Sequence, residues 1–550
     1  MQRVMQLADK LPAPARRVGL EVRGLRALLR AGMLGVESPQ TLRQIARALN
    51  DFGSFGSAAK IAALRQPTLP AIADDRGEIS FADFDAQVDQ LANALRAKGF
   101  GPGSKIGILC RNHRAPLLVA FAGVRTGATV VYLNTAFSAR QAKEVAEREG
   151  VEILFHDPEL AAAIEGLELP HGTVACATQP GMEDPLGALV ASGTPGPPPA
   201  PSANGRIVLL TSGTTGTPKG APRQDPRGFV APGAVLERMP MRAREATVIG
   251  PPLFHGTGLL IALLSLGLGS KLVLRPRFDA GQFLDDVQAH RATTVCVVPI
   301  MLQRVLALGA EEVGRRDLSS LRVLFSAGSQ LPAEVAQRAT ELLGEVVYNL
   351  YGSTEVALAT LATPEDVREA PTSVGRPLFG SRVRILDERG RDVPTGTTGR
   401  IFVGTGMPFE GYTGGGHKEI VDGLLSSGDV GHFDAAGRLY VDGRDDEMIV
   451  SGGENVFPRE VEELLVTHPA IVDAAAIGVE DPDFGQRLRA FVVLAEGQQL
   501  DPEAVQGFVK DNLARYKAPR DVVFLDDLPR NPTGKILKRE LAKLPLAEEA

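Results

Sequence analysis

Residues 211–220, TSGTTGTPKG, concentrate groups that bind phosphate: every position except Pro218 offers a hydroxyl, a cation or an unobstructed backbone amide. The amides of Gly213, Gly216 and their neighbours can converge on an anion, the hydroxyls of Thr211, Ser212, Thr214 and Thr215 add donors, and Lys219 adds a point charge. The expected guest is a polyphosphate. A Walker A loop needs G-x-x-x-x-G-K-[ST] opening a helix, whereas here Pro218 precedes Lys219 and Gly220 follows it. A different class of nucleotide-binding loop is implied.

Other strings that could carry chemistry read, taken bare, as ordinary structure. YGSTE at 351–355 and SGD at 427–429 are rich in turn formers, and the paired glycines at 452–453 fit a glycine turn. His255 beside Phe254 reads on its own as a core histidine, and Lys535 as a solvated charge.

These residues need a scaffold, and the phosphate loop has one in the apolar run 207–210, which reads as a buried strand. From about residue 68 strand-like and helix-like segments alternate, with KIGILC at 105–110 and ATVVYLN at 128–134 as strands, implying parallel sheets covered by helices. Residues 191–201, ASGTPGPPPAP, read as a surface connection between lobes. Near 443 the texture changes, GRDDEMIVSGGENVFP being dense in charge and glycine. Beyond it Val461, Leu464 and Leu465 form one helical face and Val505, Phe508, Val509 and Leu513 another, with strands at 474–479 and 488–494. The expected organisation is an extension at 1–51, a large domain at 52–442 and a small α+β domain at 443–550.

The chain has 550 residues, 44% of them hydrophobic, enough for a large core in more than one domain. A net charge of −7 argues against a nucleic-acid binder, so anionic ligands must be held by local donors. Cys110, Cys176 and Cys296 are widely separated, and two lie in apolar strand-like runs, so all three read as reduced core residues. The longest apolar stretch, 258–269, is too short to span a membrane and reads as a core helix or pocket wall. No secretory signal is evident at the start, so the expected location is the cytosol.

Residues 1–50 stand apart, with nine Lys or Arg against Asp9, Glu21 and Glu37, a net +6. Leu25, Leu28, Leu29, Met33 and Val36 fall at helical spacing with Arg23, Arg26 and Arg30 among them. That pattern fits either an anionic membrane surface, at the inner face of the cell membrane, or a helix docked on the protein's own core.

TSGTTGTPKG, NLYGSTE at 349–355, SGD at 427–429, GRDDEMIVSGGENVFPREVEE at 443–463 and NPTGK at 531–535 occur in this order. The set resembles the adenylate-forming superfamily of acyl-CoA synthetases, adenylation domains and luciferases, over about residues 55–545. The resemblance implies an α/β fold: a large N-terminal domain of parallel and mixed sheets sandwiched by helices, a distorted barrel-like subdomain, and a small mobile α+β C-terminal domain. It implies two chemical steps in one pocket. A carboxylate attacks the α-phosphorus of ATP with loss of pyrophosphate, and the acyl-adenylate then meets the thiol of coenzyme A.

By the same resemblance, residues 211–220 bind the β and γ phosphates, and Lys535 bridges the carboxylate and the α-phosphate. Thr354 hydrogen-bonds the α-phosphate, and Glu355 helps hold Mg²⁺ with phosphate and water completing its shell. Asn349 meets the adenine edge and Tyr351 stacks on the ring, with Gly352 and Ser353 completing that wall. Asp429 accepts from the ribose hydroxyls with Arg444 as second partner, although the Trp and Thr usual ahead of this aspartate are replaced by Leu424, Leu425 and Ser427. Asp446 matches the hinge on which the small domain swings, so that Lys535 can leave and Ser451, Gly452, Gly453 and Glu454 can line the thiol channel.

His255 resembles the gate between acyl pocket and thiol channel, and Gly256, Gly258, Ala327, Gly328 and Ser329 correspond to the pocket itself. No Asp near here could pair with a substrate ammonium, so an uncharged hydrophobic acid is expected. The reading is a medium- or long-chain fatty acyl-CoA synthetase using ATP, Mg²⁺ and coenzyme A. The alternatives are an acyl-AMP ligase loading a carrier protein, an aryl-acid CoA ligase and a silent ATP-binding scaffold. An intact SGGEN loop and the end of the chain soon after NPTGK favour free coenzyme A, and a homodimer is a further expectation.

Overall fold

A computed structural model of the 550-residue chain describes residues 13–211, 219–222, 228–407, 409–445, 449–451, 454–481, 485–531 and 534–544. Two large sheets form its body. One runs in the order Arg376–Pro377, Ala357–Ala362, Val347–Ser353, Val323–Ser326, Thr294–Val297, Ala246–Ile249, Lys271–Leu274, Pro70–Asp74, Gly77–Ser80. Its interior strands are parallel, and antiparallel strands close both edges. The other runs Thr173–Ala175, Ile153–His156, Lys105–Leu109, Thr129–Tyr132, Arg206–Thr211, Lys219–Pro222 and is parallel up to the last pair.

Strands such as Thr294–Val297 and Ile153–His156 are buried throughout, as expected of parallel strands covered on both faces. One continuous core joins the two sheets. Phe81, Phe84 and Leu91 of helix Phe81–Ala97, Leu118 and Phe121 of helix Arg114–Thr126, and Ile261 and Leu264 of helix Gly256–Gly267 all lie in it. Each such side chain contributes roughly 1.5–3 kcal/mol by leaving water. On the far face of the larger sheet, Val248, Val295 and Leu324 pack under helices Ala280–His290, Pro299–Ala307 and Ala333–Leu343.

A five-stranded antiparallel sheet follows, in which Gly399–Gly404 and Leu439–Arg444 flank Leu424–Phe433. The last unit pairs Ile471–Asp481 with Gly485–Leu494 over ten register positions, adds Asp521–Phe524 in parallel, and packs helices Pro458–Leu465 and Pro502–Asn512 on its core. The α/β fold with a large sheet domain and a small C-terminal domain is therefore present.

The N-terminal segment forms two successive helices, Ala13–Ala31, which packs on helix Val230–Arg238, and Pro39–Arg65, which is kinked at Gly53 and packs on helices Phe81–Ala97, Arg114–Thr126 and Gly256–Gly267. It is docked: Ala27, Leu28 and Ala31 are buried, and Arg23 ion-pairs with Glu237 at 2.7 Å. The sequence stripe therefore splits, Leu28 entering the core while Leu29 and Val36 face outward. Below the second helix lies a buried charge network. Arg125, fully buried, bonds Asp85, Asp89 and the carbonyl oxygen of Gly56 and lies over the Phe52 ring, and Lys60 reaches the same two aspartates. All three cysteines are free and buried, and no described helix is long and apolar enough to cross a membrane.

Candidate active site

Strand Arg206–Thr211 runs antiparallel to Lys219–Pro222, with Thr211 opposite Lys219. Residues 212–218, between these two strands in sequence, lie outside the described residues, as do the side chain of Thr211 and hence most of the predicted phosphate loop. Lys219 thus opens a strand and not the helix that follows a Walker A loop. That strand is pinned by Thr413, whose hydroxyl accepts from the Gly220 amide at 2.8 Å and donates to Glu149 at 2.7 Å. The same anchor sets Tyr412 beside the phosphate hairpin, with Lys219 Nζ 5.8 Å from the centre of its ring.

Strand Val347–Ser353 ends in the turn that carries Thr354 and Glu355 before Ala357–Ala362 returns. Ser353 Oγ shapes the turn by accepting from the amides of Glu355 and Val356, both at 3.2 Å. The preceding position must be glycine: a Cβ on Gly352 would stand 1.8 Å from the Ala357 carbonyl oxygen. Glu355 is held at both oxygens, by Ser353 Oγ at 2.9 Å and by the Tyr412 hydroxyl at 2.8 Å. The carboxylate is thereby aimed before any ligand arrives.

Asp429 and Arg444 face each other in register across two antiparallel strands, Arg444 donating to Asp429 Oδ1 at 3.2 Å. The other oxygen accepts from the Tyr351 hydroxyl at 2.6 Å, and burial together with the Asp429 carboxylate pushes that hydroxyl's pKa well up. Asn349 is buried in its strand, and among the described residues neither it nor Tyr351 lines the cleft, whereas Gly352, Ser353, Thr354, Glu355, Asp429 and Arg444 do.

That cleft, about 2320 Å³, runs between the large and C-terminal domains. Lys535 enters it from the C-terminal side on a tight turn: Asn531 bonds the Lys535 amide through its side chain and the Lys535 carbonyl through its backbone, each at 2.9 Å. Arg530 braces the turn, donating to the Gly534 carbonyl at 2.6 Å while paired with Asp473 of the sheet. Water reaches Lys535 from the mouth of the cleft, yet protein surrounds it closely enough to lower its pKa. Asp429 and Glu355 are near enough to pull the other way, and Arg444 adds to the lowering.

His255 precedes helix Gly256–Gly267 with its ring 4.5 Å from that of Phe254. Its Nε2 is buried without a hydrogen-bond partner, and burial plus the Lys535 ammonium lower its pKa to about 3, so the ring is neutral near pH 7. One face of that helix, Gly256, Leu259, Leu260 and Leu263, lines the cleft at i, i+3, i+4, i+7 spacing, and Ala327, Gly328 and Ser329 lie across from it. Gly258 points into its own turn, where a Cβ would meet the Pro252 carbonyl at 2.6 Å.

Ser451 and Glu454 stand opposite each other at the end of a two-stranded hairpin; Gly452, Gly453 and the predicted hinge Asp446 lie outside the described residues. Tyr412 and Arg530 went unnoticed in the sequence because nothing local marks them. Tyr412 carried one usable signal, an aromatic among glycines in GYTGGG.

As to metals, Glu355 is a single prealigned carboxylate facing a phosphate hairpin, a donor set that fits Mg²⁺ shared with polyphosphate. Cys110, His113 and Asp157 also bring ligand-type atoms within 4.8 Å of one another. There the atoms are committed to structure: His113 accepts from the Ala115 amide and bonds Asp157 at 2.7 Å, and Asp157 accepts from the Arg111 amide.

The sequence profile of AMP-binding enzymes matches residues 60–413, and that of the AMP-binding enzyme C-terminal domain matches residues 460–535. A feruloyl-CoA synthase of Amycolatopsis sp is 34% identical over 485 residues, 87% of this chain and 96% of the relative. A fatty acid–[acyl-carrier-protein] ligase of Streptomyces coeruleorubidus is 30% identical over 494 residues, 87% and 94%. The o-succinylbenzoate CoA synthetase of Bacillus subtilis, solved with its acyl-adenylate intermediate, superposes with a TM-score of 0.77 at 26% identity, covering 89% of this chain and 98% of that one.

Proposed function

Because the chain belongs to the AMP-binding enzyme family and is an acid–CoA ligase working through an acyl-adenylate, we propose that its acid is an uncharged hydrophobic one, a medium- or long-chain fatty acid, and its acceptor free coenzyme A. One observation carries the acid: the leucine-lined helix face of Gly256, Leu259, Leu260 and Leu263, which extends the pocket about 10 Å along the helix. A straight apolar wall of that length suits an extended hydrocarbon chain. The second reading, an aryl acid, is favoured by the 34% identity to the feruloyl-CoA synthase.

In the first step a carboxylate oxygen bonds to the α-phosphorus and the bond to the bridging oxygen breaks, so pyrophosphate leaves with the electron pair. Lys535 and Thr354 act where negative charge gathers between the two anions, and Lys219 acts on the departing phosphates. Asp429, held by Tyr351 and Arg444, fixes the ribose through its hydroxyls. Glu355 would hold Mg²⁺, which when bound neutralises phosphate charge. In the second step the thiol sulfur of coenzyme A bonds to the acyl carbon, AMP leaves, and the thiol proton passes to solvent. Neutral His255 lets an acyl group pass without presenting a charge.

A pyrophosphate-release screen tests this, running fatty acids of rising length against hydroxycinnamic and short charged acids, with and without coenzyme A. The reading expects release to peak with fatty acids and thioester to form only with coenzyme A. A peak on hydroxycinnamates replaces it with the aryl reading, and adenylate accumulation despite coenzyme A points to a carrier protein. A bulky residue at Gly453 should slow thioester formation more than adenylation.

A further inference from the structure

The helix pair at 13–65 lies almost wholly outside the family match, which begins at residue 60. Its inner side is fully accounted for. Gly24 packs on Gly233 and Phe229, Arg65 clamps the turn through Glu37 and the carbonyls of Gly32 and Met33, and helix Pro39–Arg65 packs on helix Gly256–Gly267. Its outer side is not. Of the twelve large apolar side chains exposed among the described residues, six fall here: Val18, Val22, Leu29, Val36, Leu42 and Leu49. A seventh, Phe229, adjoins Val18 and Val22. Val18, Val22 and Leu29 share one stripe of the first helix, Leu42 and Leu49 one stripe of the second, and Val36, wholly exposed, sits in the turn between.

Arginines border these stripes. Arg26 and Arg30 are exposed, and among the described residues neither is ion-paired. Arg43 donates to the Pro39 carbonyl, and Arg47, 85% exposed, keeps a 3.4 Å contact with Asp51. Charge is segregated along the chain as well: residues 1–50 carry +6 within a total of −7, which leaves −13 on the remainder. An anionic surface attracts this corner and repels the rest, so one orientation is selected.

We propose that the outward stripes of these two helices form a docking surface for an anionic lipid bilayer, their valines and leucines entering the interface and Arg26, Arg30, Arg43 and Arg47 meeting the headgroups. The geometry suits an interfacial element: apolar stripes of modest width flanked by arginine, on helices rigidly backed by the protein. Helix Pro39–Arg65 also packs on the helix that lines the acyl pocket, and Met33 comes within 3.2 Å of a Cβ placed on Gly267, one turn beyond Leu263 on the pocket-lining stripe. Docking therefore brings the pocket within a helix layer of a reservoir of lipidic acids.

The test is flotation of the full chain on phosphatidylcholine vesicles with and without phosphatidylglycerol, in the absence of ATP and acid, so that its result is independent of the ligase reading. The full chain should float with phosphatidylglycerol vesicles and stay behind with phosphatidylcholine alone. Arg26→Gln and Arg30→Gln should each weaken partition about fivefold, the equivalent of ~1 kcal/mol per basic side chain at an anionic surface. Leu29→Asp should weaken it further, while pyrophosphate release with a soluble acid stays unchanged in all three variants. Flotation that ignores phosphatidylglycerol, or persists undiminished in Arg26→Gln/Arg30→Gln, overturns the proposal. So does a dimer in solution that Leu29→Asp dissociates, which would assign the face to a second copy of the chain.

Discussion

Gly534 and Ile300 meet across the cleft: a Cβ on Gly534 would stand 2.4 Å from Ile300 Cγ2, on a backbone whose φ is +80°. This contact seats the Lys535 turn against the large domain, with the ammonium in the electrostatic reach of Asp429 and Glu355. The arrangement is the one the proposed adenylation role of Lys535 calls for, with the lysine placed where charge would develop.

Two variants separate the half-reactions. Lys535→Ala should slow adenylation by about 10²-fold or more, in line with removing a transition-state donor, while thioester formation from supplied acyl-AMP persists. Gly534→Val, which leaves the lysine in place but obstructs its seat, should show the same bias. Equal loss of both half-reactions, measured by pyrophosphate release and by thioester yield, would contradict domain alternation.

Tyr412→Phe removes one of the two hydrogen bonds that aim Glu355. Outer-sphere partners of this kind typically set metal affinity by 10–100-fold, so the Mg²⁺ concentration for half-maximal adenylation should rise by about tenfold. The rate at saturating Mg²⁺ should change little, and a magnesium titration of both proteins reads the difference.

His255 yields a pH signature in stability. Its folded pKa lies near 3, below the ordinary histidine value of 6.5. Between those values the unfolded chain binds a proton that the folded chain refuses, so stability falls as pH drops below about 6.5, by at most about 1.4 kcal/mol per pH unit. His255→Phe should flatten the acid limb of a plot of urea midpoint against pH, and an unchanged slope would show that the ring is not held neutral.

Arg125→Met should destabilise by roughly 3–5 kcal/mol, because it leaves Asp85 and Asp89 buried with Lys60 as their remaining cation among the described residues. Replacing Asp85, Asp89 and Arg125 together by apolar residues should cost less than that single change, an order that equilibrium denaturation would reveal.

Local chemistry made much of this legible. The unbroken apolar run 258–269, read as a core helix or pocket wall, is found as helix Gly256–Gly267, and the strands read at 474–479 and 488–494 are found within Ile471–Asp481 and Gly485–Leu494, since local composition suffices to mark such elements. Motif order predicted that Asp429 and Arg444 act together, and the strands put them in register. Tyr412 with Glu355, Arg530 with Asp473 and Gly534 with Ile300 were not legible, because each pairs residues at least 57 positions apart and no composition rule fixes such a contact. The stripe of Leu25, Leu28, Leu29, Met33 and Val36 left two surfaces open for a related reason: periodicity says that a helix has an apolar side but not how many partners share it.

The carbonyl of Gly56 and the ring of Phe52, both gripping Arg125, lie upstream of residue 60, where the family match starts. A shortened protein cut to that boundary would look complete by homology, yet would strip two supports from a guanidinium sealed in its interior. Anyone trimming this polypeptide for crystallisation should keep the kinked helix whole, or expect insoluble material whose defect is thermodynamic and not catalytic.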